Sequence, residues 1–167
     1  LSAGSNLYAG AGAANSVVRF GIANGGVFGA SQAAKGYVSE VIAYDRSLTT
    51  AQINQVESYL AIKYGFTLGH NYFTSAGDPL YNISSYGNNV AGIGRDDTSN
   101  LNQKQSKSTA ADSLVTMGLG MLAGTNISNT NTFADDASFL LWGNNSGSTQ
   151  FSTPLTGPGS TPVNNRM

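Results

Sequence analysis

The chain has 167 residues, of which only 10% are charged, with a formal net charge of −1 and no cysteine. It lacks the basic surface that binding to nucleic-acid phosphates requires, and no stretch approaches the ~18 continuous apolar residues of a membrane span. The absence of cysteine excludes disulfides, a thiolate nucleophile and Cys-ligated zinc. Because Gly, Ser, Thr and Asn make up roughly two-fifths of the chain, we expect a β-rich chain with many polar turns. We also expect that it binds no nucleic acid and does not insert into membranes.

Two strands are predicted in the N-terminal part of the chain. The stretch SVVRFGI, residues 16–22, is a β-branched and aromatic run bounded by turn residues. The stretch KGYVSEVIAYDR, residues 35–46, is largely apolar on both faces of an alternating pattern. It predicts a central strand that is covered on both sides.

A helix is predicted over residues 50–63. Thr49 and Gln52 have the spacing of a capping box, and Leu48 and Ile53 have that of a hydrophobic staple. Gly65 stands where a left-handed residue ends many helices. Ile53, Val56, Tyr59, Leu60, Ile62 and Tyr64 are expected to form the apolar stripe of this helix.

The chain after Gly65 reads as turns and further strands. Turn chemistry occurs at residues 77–79 and 86–89, and strands are predicted over 89–95, 113–119 and 138–144. Residues 145–167 contain three of the four prolines and predict a long loop or a linker. The chain begins in mid-pattern at Leu1, and we expect it to be part of a longer protein.

The stretch GYVSEVIAYDRSLTTAQINQVESYLAIKYGFTL, residues 36–68, resembles the last strand and closing helix of a laminin-G or concanavalin A-like jelly roll. The stretches GIGRDDTSNLNQKQSKS, residues 92–108, and FLLWGNN, residues 139–145, resemble an uncharacterised β module. That module often follows such a helix in large surface and adhesin-like proteins of marine and Bacteroidetes-type bacteria.

The resemblance implies an all-β fold with one closing helix and two modules. Residues 1–68 would be the C-terminal part of a laminin-G-like jelly roll, and residues 69–167 a second β-sandwich-like module, incomplete at its C-terminus. The function that follows is a non-catalytic structural or adhesive module of an extracellular protein on the bacterial cell surface, or of a filament. Its partners would be neighbouring domains of a longer chain and identical subunits. A carbohydrate-binding module of a secreted polysaccharide-active protein is the alternative.

A candidate calcium site lies in the most charged stretch of the chain. Asp96, Asp97 and Asp112 supply the hard oxygen ligands that Ca²⁺ prefers, although the spacing is not that of an EF-hand. Structural Ca²⁺ is therefore one interpretation. In the other, Arg95, Lys104 and Lys107 neutralise the aspartates in a network of polar turns, and Asp135-Asp136 form an Asx-type turn.

Sugar contacts are the second candidate. Tyr81 and Tyr86 lie in polar loop sequence and offer aromatic faces, and Lys104 and Lys107 offer hydrogen-bond donors. Alternatively, the two lysines protect the edge of a sheet from pairing with another chain, whereas Trp142 in FLLWG is expected to pack in the core.

Catalysis is not expected. Glu40 and Asp45 are a pair of carboxylates near a strand, but five residues separate them, which places them on opposite faces of a regular strand. The single histidine, His70, has no cysteine or second histidine with which to anchor zinc, and we expect it on a surface loop.

Overall fold

A computed structural model of the chain describes residues 37–110 and 115–147. The chain divides into two compact units, Leu1–Asp45 and Arg46–Met167. The predicted strand over residues 16–22, the first part of the strand predicted over 113–119, and the proline-rich part of the tail lie outside the described residues.

In the first unit, the described residues 37–44 form no strand. The prediction of a covered central strand here differs from the structure, since Tyr37, Val38, Val41, Ile42 and Tyr44 are all exposed. A strand exists only through pairing with a neighbour, and none of the strands described below pairs with this segment.

The second unit contains two helices and seven strands among the described residues. In chain order they are α1 (Thr50–Tyr64), β1 (Tyr72–Phe73), β2 (Pro79–Tyr81), α2 (Ile83–Tyr86), β3 (Asn88–Asp96), β4 (Leu101–Gln103), β5 (Gln105–Lys107), β6 (Thr116–Gly118) and β7 (Ser138–Asn144). The predicted helix and the predicted strands over 89–95 and 138–144 are confirmed. The short strands β1, β2, β4 and β5 were not predicted individually.

The ends of α1 follow from its capping residues. The Thr49 side chain accepts a hydrogen bond from the backbone N–H of Gln52, and the Gln52 side chain accepts one from the backbone N–H of Thr49. At the other end, Gly65 adopts φ 71° and donates its N–H to the carbonyl of Ala61. Both predicted caps are confirmed.

The face that α1 buries differs from the predicted apolar stripe. The buried residues are Ser58, Ala61 and Ile62, whereas Ile53 is exposed. Ser58 is tolerated there because its hydroxyl donates to the carbonyl of Asn54 and accepts from the backbone N–H of Phe73. Neighbouring strands, and not apolarity alone, therefore decide which face of the helix is buried.

The strands pair antiparallel in three small sheets. The largest has the order β4-β3-β7, and β1 pairs with β2 and β5 with β6. Strand β3 is central, and most of its residues are buried, as expected for a strand covered on both faces. The register between β3 and β7 shifts between Asn88 and Ala91, where Asn89 adopts φ 53°.

The core joins α1 to the strands that follow it. Ala61 and Ile62 of the helix pack in one cluster with Leu68, Tyr72, Val90 and Leu101. The contacts thus place the helix with the later strands, and the predicted boundary between residues 68 and 69 falls inside the second unit. The described residues confirm a fold of mostly antiparallel strands with few helices. None of the helices in these ranges is long and apolar enough to cross a membrane.

Candidate functional site

The polar motif, residues 92–108, runs from β3 through a turn into β4 and β5. It contains Arg95, Asp96, Asp97, Lys104 and Lys107. Strand β3 ends at Asp96, and the turn that follows reverses the chain so that Asp96 is paired with Leu101 at the start of β4. Each charged side chain therefore has a fixed position relative to the sheet.

Asp96 is buried, with 6% of its surface exposed. Its carboxylate accepts hydrogen bonds from the backbone N–H and hydroxyl of Ser75, at 2.8 and 2.7 Å, and from the backbone N–H of Ser99 at 3.2 Å. Burial by itself raises the pKa of Asp96, but the hydrogen bonds from Ser75 and Ser99 outweigh it, and the pKa is lowered. Asp96 thereby ties the turn between β1 and β2 to the end of β3.

Asp97 forms a bidentate pair with Arg95. The Nε and Nη2 atoms of Arg95 each lie 2.7 Å from an oxygen of the Asp97 carboxylate. The side-chain hydrogen bond from Arg95 lowers the pKa of Asp97. Arg95 also donates to the carbonyl of Phe133, and Asp136 accepts from the backbone N–H of Asp97 at 2.8 Å. This pair and Asp136 connect the turn after β3 to residues 133–136.

The amides of the motif hold a second segment, residues 119–131, which we call the 119–131 loop. Gln105 makes a reciprocal pair with Ala123, in which its Nε2 donates to the Ala123 carbonyl and its Oε1 accepts from the Ala123 N–H. The backbone N–H of Lys104 donates to the Asn126 side chain at 2.6 Å, and Asn126 in turn donates to the carbonyl of Asn102. The Lys104 ammonium donates to the backbone carbonyl of Asn129.

Asn129 organises the 119–131 loop from inside. It is fully buried, and its amide nitrogen donates to the carbonyls of Leu119 and Met121, at 3.1 and 2.9 Å. Its amide oxygen accepts from the backbone and side-chain nitrogens of Asn131, both at 3.0 Å. A buried side chain with this many partners fixes one loop conformation.

The C-terminal end of the motif lies against the end of α1. A Cβ added at Gly65 would lie 2.2 Å from the carbonyl oxygen of Lys107. Thr109 is the first residue after the motif. Its backbone N–H and its hydroxyl both donate to the Gly65 carbonyl. Gly65 is therefore required by its backbone conformation and by this close approach.

These contacts decide how the predicted calcium ligands are placed. Both oxygens of Asp96 accept hydrogen bonds from serine, and both oxygens of Asp97 accept from Arg95. Asp112 lies outside the described residues. Within the described ranges, no group of three or more His, Asp or Glu residues is arranged to hold a metal ion. Calcium binding here stays a prediction.

The predicted sugar-contacting tyrosines have different surroundings. Tyr81 is partly buried, packs edge-on against Tyr72 with ring centroids 6.1 Å apart, and donates its hydroxyl to the carbonyl of Tyr86. Burial is the main cause that raises the pKa of Tyr81. Tyr86 is 41% exposed. Tyr86 is thus exposed to solvent, whereas Tyr81 is used in packing.

The two lysines that were predicted to contact sugars, Lys104 and Lys107, also differ in their surroundings. Lys104 lies at the junction between β4 and β5 and is engaged with the 119–131 loop, whereas Lys107 ends β5 and is exposed. Neither lysine makes a salt bridge with Asp96 or Asp97 of the motif, whose partners are Ser75, Ser99 and Arg95. Of the three predicted cations, Arg95 pairs with an aspartate of the motif, which is Asp97, whereas Asp96 accepts hydrogen bonds from serines.

His70 lies on the loop that joins α1 to β1, and its ring contacts the helix. Its Nε2 is 2.7 Å from the carboxylate of Glu57 on α1, and its Nδ1 is 2.8 Å from the carbonyl of Asn71. Both groups are about 30% exposed. This contact anchors the segment that leads from α1 into β1.

Sequence reasoning missed the partners of the motif. Ser75, Ser99, Asn126 and Asn129 are ordinary turn residues in sequence, and only their positions in the fold bring them to the charged side chains. For Asn126 and Asn129, the sequence did carry a signal, which is the high density of Asn, Ser and Thr in residues 125–132. Side chains of these types often form hydrogen bonds with nearby backbone groups.

Comparison with known families matched residues 52–167 to the model of a family described as Domain of unknown function (DUF8202). The matched range begins in α1 and includes all seven strands described above. No curated protein and no solved structure matched the chain.

Proposed function

The chain belongs to the DUF8202 family, whose model matches residues 52–167, and we propose that it is a non-catalytic structural and adhesive module of an extracellular bacterial surface protein or filament. In this proposal residues 1–68, which include α1, are the C-terminal part of a laminin-G-like jelly roll, and residues 69–167 form a second β-sandwich-like module.

The use of the polar motif is the observation that carries the proposal. Its conspicuous charged and amide side chains point at other parts of the same chain, which are the β1–β2 turn, residues 133–136 and the 119–131 loop. A binding or catalytic site needs polar groups that converge on a space for a ligand. Groups that are used in internal hydrogen bonds stabilise the module itself, as a structural building block requires.

The low charge of the chain also supports an assembling module. With 10% charged residues and a formal net charge of −1, neighbouring copies repel one another little, and the side chains at a lateral contact cost little to desolvate. Such a surface suits close packing in a surface layer or filament.

Glycan binding is the second candidate, and Tyr86 is the observation that favours it. Tyr86, the last residue of the one-turn helix α2, is 41% exposed, and an exposed aromatic side chain can stack on the apolar face of a sugar. In this reading the module would bring a polysaccharide-active protein to its substrate.

The test measures assembly and glycan retention side by side. The full chain is examined by native mass spectrometry over a hundredfold range of concentration without sugar, and on a glycan array. We expect concentration-dependent oligomers and no retained glycan. A chain that stays monomeric and is retained by a glycan, with the retention lost in Tyr86→Ala and kept in the control Tyr37→Ala, would replace this proposal with the second candidate.

A further inference from the structure

The turn between β1 and β2 ends at the single Asp-Pro peptide bond of the sequence, Asp78-Pro79. Pro79 is the first residue of β2 and is paired with Phe73, the last residue of β1. Both Asp78 and Pro79 are exposed. The hairpin thus presents to solvent a carboxylate that stands beside the carbonyl carbon of a bond to proline.

The carbonyl of Asp78 faces a fixed hydrogen-bond donor. The backbone N–H of Thr74 donates to the Asp78 carbonyl at 2.9 Å, and the backbone N–H of Asp78 donates to the Thr74 hydroxyl at 3.0 Å. Thr74 is buried, with 6% of its surface exposed. A fixed N–H in this position stabilises the negative charge that develops on the carbonyl oxygen when a nucleophile attacks the carbon.

The surrounding fold holds this donor in place. Ser75, the next residue, donates to the buried carboxylate of Asp96, and the Ser75 carbonyl accepts from the Nε2 of Gln55 on α1 at 3.1 Å. The turn is therefore attached both to the helix and to β3. Because the donor is already in position, no loop has to become ordered during the reaction.

The carboxylate of Asp78 is free to act as a nucleophile. It makes no hydrogen bond or ion pair with another of the described residues. Attack by its oxygen on the carbonyl carbon of the same residue closes a five-membered ring, and intramolecular attack has a large advantage over attack by a separate molecule. The leaving group is the Pro79 nitrogen, which belongs to a tertiary amide.

We propose that the chain cuts itself at the Asp78-Pro79 bond. The Asp78 carboxylate attacks the Asp78 carbonyl carbon, which forms a C–O bond and a cyclic anhydride. The C–N bond to Pro79 breaks, its electron pair stays on the nitrogen, and the nitrogen takes a proton from the solvent. Water then hydrolyses the anhydride and restores the Asp78 side chain, so the net reaction is hydrolysis of one peptide bond.

The two products, residues 1–78 and 79–167, remain joined by noncovalent contacts. The core cluster packs Ala61 and Ile62 of the first product against Val90 and Leu101 of the second. The reaction occurs once in each chain. It goes beyond the proposed structural function without giving the module an activity on other molecules, and it replaces the covalent link between α1 and the later strands by packing alone.

Denaturing mass spectrometry of the full chain, after incubation in one mildly acidic buffer that supplies the proton, tests the proposal. We expect fragments that end at Asp78 and begin at Pro79. They should form at least about tenfold faster in the folded chain than in the same buffer with urea, because unfolding removes the fixed donor.

Two variants test the nucleophile and the leaving group. Asp78→Glu would have to close a six-membered ring, and Pro79→Ala replaces the tertiary amide by a secondary one, so each should slow the cut at least about tenfold. The control Asp135→Glu, at an exposed position that no proline follows, should be cut as fast as the unchanged chain. Circular dichroism in the same buffer verifies that each chain is folded.

Water labelled with heavy oxygen separates this route from direct hydrolysis and from a contaminating protease. Hydrolysis of the anhydride leaves part of the label in the Asp78 side chain, whereas direct hydrolysis leaves all of it in the new C-terminal carboxylate. Label confined to that carboxylate would overturn the proposal. So would an intact Asp78-Pro79 bond, equal rates with and without urea, or an Asp78→Glu chain that is cut as fast as the unchanged chain.

Discussion

Asp96 illustrates at the residue scale how a carboxylate that resembles a metal ligand becomes part of the scaffold. Its carboxylate accepts three hydrogen bonds, two from Ser75 and one from Ser99. A buried carboxylate with several donors is stable in its ionised form, since each donor favours the charge. The turn between β1 and β2 depends on this residue for its position.

We expect Asp96→Asn to lower the free energy of unfolding by about 2 kcal/mol, the size of a lost charged hydrogen bond. The amide cannot accept from all the donors that face the carboxylate. Urea denaturation at neutral pH measures the change. The matched control is Asp135→Asn at an exposed position, and an equal loss in both variants would contradict the assignment.

The lowered pKa of Asp96 also predicts a pH dependence. The ordinary pKa of the group is 3.8 and the folded value lies below it. The unfolded chain therefore binds the proton first, and the stabilisation is present above about pH 4 and is lost as the pH falls through the folded pKa. Asp96→Asn should show a flatter fall in stability than the unchanged chain between about pH 4 and pH 2. Parallel curves would be the opposing result.

Asn129 fixes the conformation of the 119–131 loop, as Asp96 fixes the turn between β1 and β2. Asn129→Asp keeps the shape of the side chain but replaces the donating amide nitrogen by an oxygen that faces the carbonyls of Leu119 and Met121. We expect a loss of at least about 2 kcal/mol and faster proteolytic cleavage in the loop. The same change at the exposed Asn88 should have little effect, and a loop that resists protease equally in both variants would count against this role.

At the element scale, the contact between the end of α1 and the polar motif fixes the position of the helix relative to β5. Gly65 ends the helix in a left-handed conformation and lies against the carbonyl of Lys107, while Thr109 bonds to its carbonyl. The helix, β5 and the residues after β5 therefore meet at one glycine. A side chain there would disturb the cap and the contact together.

Gly65→Ala should destabilise the chain by about 3 kcal/mol, which combines the cost of a left-handed alanine with that of overpacking. Gly69→Ala is the matched control, because no atom lies within 4 Å of the added carbon and its φ is not positive. The thermal midpoints of both variants are compared by circular dichroism. Similar midpoints would show that the neighbouring backbone moves freely to make room.

At the scale of the whole molecule, the calcium and scaffold interpretations of the polar motif make different predictions. If hydrogen bonds from Ser75, Ser99 and Arg95 satisfy the aspartates, a calcium chelator should leave the thermal midpoint unchanged within about 1 °C. If calcium is a ligand of the folded chain, its removal lowers the midpoint by mass action. Differential scanning calorimetry with and without chelator, and with magnesium as a control, distinguishes the two.

The sequence by itself determined the features that depend on neighbouring residues. The capping box at Thr49, the end of α1 at Gly65 and the strands over 89–95 and 138–144 follow from local chemistry and alternation. They could be predicted because the residues that stabilise each feature lie within a few positions of one another. The β-rich class of the fold was expected from the composition and the strand patterns, and the structure added that the strands pair antiparallel.

Only the tertiary structure decided the partners across the chain. It brought Ser75 to Asp96, placed Asn129 inside a loop held by Gln105, and buried Ser58 on α1 while Ile53 stayed exposed. It also packed α1 on later strands and left residues 37–44 outside any strand. Each of these outcomes depends on contacts between residues far apart in sequence, and burial and hydrogen bonding there outweigh the local pattern.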